Sequence, residues 1–121
     1  MKHIILKTEN GASIEAAVAD NFLTRFRGLM FHRPLEKGTG LLLTPCASVH
    51  MLWMRFALDI IYLDASYKII KVVPHLLPWL GLSACPKAHM ALEVSSGEAA
   101  RLKLAAGQSL SLCECRKVVR S

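Results

Sequence analysis

The sequence predicts a mainly β fold, α+β in detail: a small β-barrel or a rolled antiparallel or mixed sheet with two short peripheral helices. Three observations carry this. Short runs rich in Ile, Val and Leu recur along the chain, each bounded by Gly, Pro, Asn or Asp. Where the pattern is clearest, Ile14, Ala16 and Val18 alternate with Glu15 and Ala17, the period of a half-buried strand. Finally, 121 residues that are 53% hydrophobic suffice for one core, so residues 1–121 are read as a single domain.

Taken in order, His3–Lys7 and Ser13–Ala19 read as two strands joined at Glu9-Asn10-Gly11, because Asn-Gly tolerates the positive φ of a tight turn. Asp20 can cap a helix whose apolar positions are Phe22, Phe26, Leu29 and Met30, with Arg25 on the same side. Gly40–Thr44 is a short buried strand ended by Pro45, and Ser48–Met54 another. Ile60–Leu63 follows, with Asp59 on the face of Ile61 and Leu63, where a buried carboxylate needs a partner. Asp64–Tyr67 is a turn and Lys68–Val73 the returning strand. Pro74–Pro86 reads as a Pro/Gly-broken apolar loop that either covers the core or presents Trp79 and Leu80 to a partner. His89–Val94 is a strand. Ser95-Ser96-Gly97-Glu98 carries a capping-box pattern for a helix to about Leu104. Ser109–Cys115 is the last strand, with Leu110 and Leu112 inward and Cys113 and Cys115 on the other side.

Within these elements, Arg25-x-x-Gly28-Leu29-Met30, Gly40-Leu41-Leu42, His50-x-x-x-Met54, Asp59-Ile60-Ile61-x-Leu63-Asp64 and Leu92-Glu93-x-x-x-Gly97 stand in a distinctive order. From about Ala12 to Leu112 the chain resembles the domain-of-unknown-function family 192, an uncharacterised ancient conserved region. That resemblance implies a compact, mainly β single domain and no particular activity. The chain departs from the family pattern at Tyr67, where a turn glycine is usual, and at Ala57, where proline is common.

Three constellations could carry chemistry. Arg25, His50, Asp59 and Glu93, with Trp53 and Met54 beside them, offer a guanidinium, an imidazole and two carboxylates for binding a small ligand or for acid/base work. The same residues serve equally as a buried network that fixes the sheet's register. Cys46-x-x-x-His50-Met51 and Cys85-x-x-x-His89-Met90 repeat one pattern, and Cys46, His50, Cys85 and His89 form a plausible tetrahedral zinc set, or with methionine a copper one. On a strand, however, residues four apart lie roughly 13 Å from each other, so the bends at Pro45 and Pro86 would have to bring each pair together. Cys46 and Cys85 could instead face each other as a redox pair. Cys113-Glu114-Cys115 is the third and weakest signal.

The net charge of +6 is scattered, and aromatic residues are not interleaved with basic ones, which weighs against nucleic acid as a partner. Apolar runs are too short for a membrane span or a signal peptide, so a cytoplasmic location is expected. No Gly-rich phosphate loop, metalloprotease helix or nucleophile elbow is present. The expected function is therefore a non-enzymatic accessory domain without a cofactor, binding a small molecule or a protein, with a polar pocket around His50 and Asp59. The alternatives are a small hydrolase-like enzyme using His50, Asp59 and Glu93, and a nucleic-acid-binding β domain.

Overall fold

The computed structural model describes residues 2–19, 35–50 and 56–113. The helix expected after Asp20, with Arg25, lies outside the described residues, as do Trp53, Met54 and Cys115.

Nine strands and one short helix are described. They are β1 (Lys2–Lys7), β2 (Ser13–Ala19), β3 (Thr39–Leu43), β4 (Ser48–His50), β5 (Leu58–Leu63), β6 (Ile69–Leu76), β7 (Leu82–Ala84), β8 (Met90–Ser95), α1 (Glu98–Arg101) and β9 (Ser111–Cys113). Seven strands form one mixed sheet in the order β6-β5-β8-β3-β2-β1-β9, and β4 and β7 pair separately. Among the described strands only β2 and β3 run parallel, as expected for strands separated by a long connection. The β1–β2 hairpin pairs Lys7 with Ser13, and Gly11 supplies the positive φ of 89° that its turn requires.

The sheet is rolled but not closed, which corrects the barrel expectation. Its edge strands β6 and β9 do not pair along their lengths; they meet only just ahead of them, at a Lys68–Ser109 bridge. Three neighbouring bonds extend that contact, Ile69 N–H to Gln108 O at 2.8 Å, Gly107 N–H to Ile69 O at 2.8 Å and Leu110 N–H to Tyr67 O at 2.9 Å.

Both faces of the sheet's centre are covered, so β5 is buried along its whole length and β8 along all but its last residue. One face gathers Leu6, Ile14, Leu42, Ile61, Leu92 and Val94 with Ala99 and Leu102 of the α1 region. The opposite face gathers Leu41, Leu43, Ile60 and Tyr62 with Val49, Cys46 and Cys85 from the β4–β7 region. Gly40 lets β3 and β8 approach: a Cβ there would lie 2.9 Å from the Glu93 carbonyl oxygen.

Other expectations change. Pro74 does not end its strand, because β6 runs on to Leu76 as an edge strand, where a missing N–H breaks no inner ladder. The register also shifts between Leu58–Leu76 and Ile60–Val73, a bulge that takes up Pro74 and His75. The supposed loop Pro74–Pro86 thus contains the end of β6 and all of β7. The last helix stops at Arg101, well before Leu104: Lys103 takes a left-handed φ of 56°, and Leu104 N–H turns back to Ala99 O at 2.8 Å, a Schellman ending. Leu112, expected inward, is half exposed on the short edge strand β9. Tyr67 adopts φ 67°, the conformation that glycine would usually supply at this turn.

Candidate functional site

Asp59 and Glu93 were expected to share a site; the structure separates them. In the β5–β8 ladder Asp59 pairs with Val94, and Ile60 with Glu93. Paired residues share a face and successive residues alternate, so the two carboxyls lie on opposite sides of the sheet.

Asp59 is 1% exposed and its carboxylate is fully engaged by backbone donors. Oδ2 accepts from Gly97 N–H at 3.0 Å and Ala99 N–H at 2.9 Å, and Oδ1 accepts from His75 N–H at 2.8 Å. The first two are orphan donors at the start of α1, whose own N-cap, Gly97, brings no side-chain acceptor. Asp59 thus caps the helix from a distant strand and ties the β6 bulge to it. The Ser95–Glu98 capping box predicted for this helix does not form.

Glu93 is completely buried on the other face, and neither carboxyl oxygen has a hydrogen-bond partner among the described residues. Burial pushes its pKa from the ordinary 4.5 up to about 8, so at neutral pH it is a protonated acid within an apolar layer. Nearby, Tyr62 donates to Ser83 Oγ at 3.0 Å. Burial raises the Tyr62 pKa, the Ser83 hydrogen bond lowers it, and Cys46, Cys85 and Glu93 act on it electrostatically.

Cys46 and Cys85 both belong to this second layer and are buried, and Cys46 Sγ donates to Ser48 O at 3.0 Å. Their two segments are joined, since Cys85 N–H donates to Ala47 O at 2.8 Å. His89 is exposed just ahead of β8, and His50 is the last residue of β4. Among the described residues no group of three or more His, Cys, Asp or Glu side chains is arranged to hold a metal ion.

Sequence reasoning read Glu98 only as part of a capping box; it is buried at 4% exposure and takes part in two sets of bonds. Its Oε1 accepts from Gly38 N–H at 3.0 Å, and Arg101 clamps both carboxylate oxygens at 2.6 and 2.8 Å. The Arg101 contact is the main cause that lowers the Glu98 pKa. The available signal was the i, i+3 spacing of Glu98 and Arg101 on a short helix.

The Trp79–Leu80 candidates sit on a turn between β6 and β7 where Gly81 N–H closes onto Leu77 O at 2.9 Å. Large apolar side chains cluster there: Leu77 is 50% exposed, Trp79 48%, Leu80 85% and Leu82 75%. Trp79 holds φ at 66°, a strained conformation for a bulky residue.

A family model described as "Uncharacterized ACR", DUF192, matches residues 4–112. A UPF0127 protein of Pyrococcus furiosus is 39% identical over 71 residues, which span 54% of this chain and 59% of that protein. One of Pyrococcus horikoshii is 34% identical over 68 residues, 54% of this chain and 58% of that protein. The chain thus spans less than two thirds of either relative. Two crystal structures share the fold. A protein of unknown function from Novosphingobium aromaticivorans superposes with a TM-score of 0.76 at 21% identity, over 90% of this chain and 83% of its own. A provisionally designated transcription regulator of Sinorhizobium meliloti gives 0.79 at 19% identity, over 91% and 92%. No described helix is long and apolar enough to cross a membrane.

Proposed function

We propose, from the premise that this chain belongs to the uncharacterised DUF192 family, that it is a non-catalytic accessory domain that binds a protein partner through the surface from Leu77 to Leu82. The observation that carries this reading is four large, exposed apolar side chains gathered on one turn, with a tryptophan held at positive φ in their midst. Scattered exposed leucines need no explanation, but large exposed apolar side chains gathered along one short segment are what a partner covers.

The acid/base alternative has less support. Its two carboxyls face opposite sides of the sheet, and Asp59 already accepts three backbone hydrogen bonds. A pocket around His50 and Asp59 is weakened for the same reason. The regulatory designation of the S. meliloti protein belongs to that protein, and at 19% identity the likeness speaks for the fold alone.

The test compares wild type with Trp79→Ala and Leu80→Asp in affinity capture from the native host. Leu80→Asp should fold with the wild-type melting temperature, because Leu80 is 85% exposed, and the melting temperature of Trp79→Ala is measured alongside. A protein retained by wild type and lost by both variants is the expected result. Unchanged capture by Leu80→Asp would overturn the reading.

A further inference from the structure

The incomplete closure of the sheet leaves an opening with its own chemistry. The two edges are bonded as far as Leu110 N–H and Tyr67 O, and there they part. The β5–β6 turn closes on itself through Tyr67 N–H to Asp64 O at 3.0 Å, while β9 turns away to pair Leu112 with Leu6 of β1. Between these lips, Ala65 and Tyr67 on one side and Leu112 on the other, lies a groove of about 260 Å³.

Its floor is the apolar layer itself, reached at Val18, Leu42 and Met90. Around it stand Lys2, Thr44, Tyr67 and His89. None of these four side chains makes a hydrogen bond or ion pair with the described residues, and no Asp or Glu among the described residues lines the groove. An ammonium, an imidazole and two hydroxyls are therefore left to serve a guest above a hydrophobic floor. Such a lining rewards an anionic head that accepts hydrogen bonds and a short apolar body. Taking roughly 30 Å³ per water-sized unit, the space holds on the order of ten non-hydrogen atoms.

We infer that this groove is a binding site for a small monocarboxylate with an aliphatic or aromatic body, its carboxylate at Lys2 and His89 and its apolar part over Val18, Leu42 and Met90. The site is separate from the Leu77–Leu82 surface.

Octanoate is the probe, titrated into protein carrying ¹³C-methyl methionine and followed by NMR, because Met90 is the methionine on the groove floor. Saturable movement of the Met90 methyl with half-saturation at ~1 mM is expected. Acetate, which lacks the body, and 1-octanol, which lacks the charge, should each bind at least about tenfold more weakly. Lys2→Glu and His89→Ala should each weaken octanoate about three- to tenfold with the fold unchanged, since both residues are at the surface. Trp79→Ala should leave the titration as it is, which separates this site from the proposed partner surface. A Met90 methyl that ignores octanoate, or one that responds equally to octanol and to the Lys2→Glu protein, would overturn the inference.

Discussion

Asp59 and Glu93 are both carboxylic acids, both buried, and one register step apart on adjacent strands, yet they live in opposite conditions. Asp59 meets three backbone N–H groups that would otherwise be unsatisfied at a helix start and a bulge. Glu93 meets leucine and isoleucine neighbours and finds no hydrogen-bond partner among the described residues. Burial alone therefore does not fix what a carboxyl does. Donors make Asp59 a structural tie, and their lack makes Glu93 an acid that keeps its proton.

The sharpest way to break this contrast is to remove Asp59. Asp59→Ala leaves one buried and two part-buried N–H donors without their acceptor, the buried one costing about 1–3 kcal/mol and the others less, so a total loss of about 3 kcal/mol is expected in urea unfolding. Hydrogen exchange should quicken at His75, Gly97 and Ala99 in particular. A loss below about 1 kcal/mol would show that the tie is dispensable.

Glu93 should behave in the reverse sense and through pH. Its pKa is about 8 in the folded state against an ordinary 4.5 when unfolded. Between those values the folded chain keeps a proton that the unfolded chain has released. Stability therefore falls as pH rises through this window, by up to about 1.4 kcal/mol per pH unit, and levels off above it. Glu93→Gln carries no such proton. It should match wild type near pH 5 and exceed it by about 2–3 kcal/mol near pH 7, read from denaturant midpoints at the two pH values. Equal pH profiles for the two proteins would refute the neutral-acid assignment.

The smallest expected effect tests the backbone beside Glu93 rather than its side chain. Gly40→Ala sets a methyl 2.9 Å from the Glu93 carbonyl oxygen, so β3 and β8 must separate slightly. A loss of about 1–2 kcal/mol in thermal or urea unfolding is expected, about the cost of mild overpacking.

Much of the strand plan was legible because alternation and turn chemistry are local. Ser13–Ala19 falls where the Ile14, Ala16, Val18 pattern puts it, and the Asn10-Gly11 turn joins the first hairpin. Pro74 misled because its cost depends on whether its strand is an edge, a property of the whole sheet. The capping box failed for a similar reason: the acceptor for α1 comes from Asp59, 38 residues before Gly97. The candidate site was half legible. That Asp59 needs a partner followed from its face on β5, but that its partners are peptide groups did not. Likewise Glu93 was visible as a polar residue in an apolar run, while its separation from Asp59 required the β5–β8 register. The groove beside Tyr67 had no sequence signal, because it exists only where two distant edges fail to meet.

The Pro74 bulge has a further consequence, for how molecules of this domain behave in a crowded solution. An unclosed sheet exposes two rims on which another chain could lay a strand. Here one rim is interrupted by a residue without an N–H and by a shifted register. An incoming strand finds no continuous row of donors and acceptors along the β6 rim, which guards that edge against fibrous self-assembly.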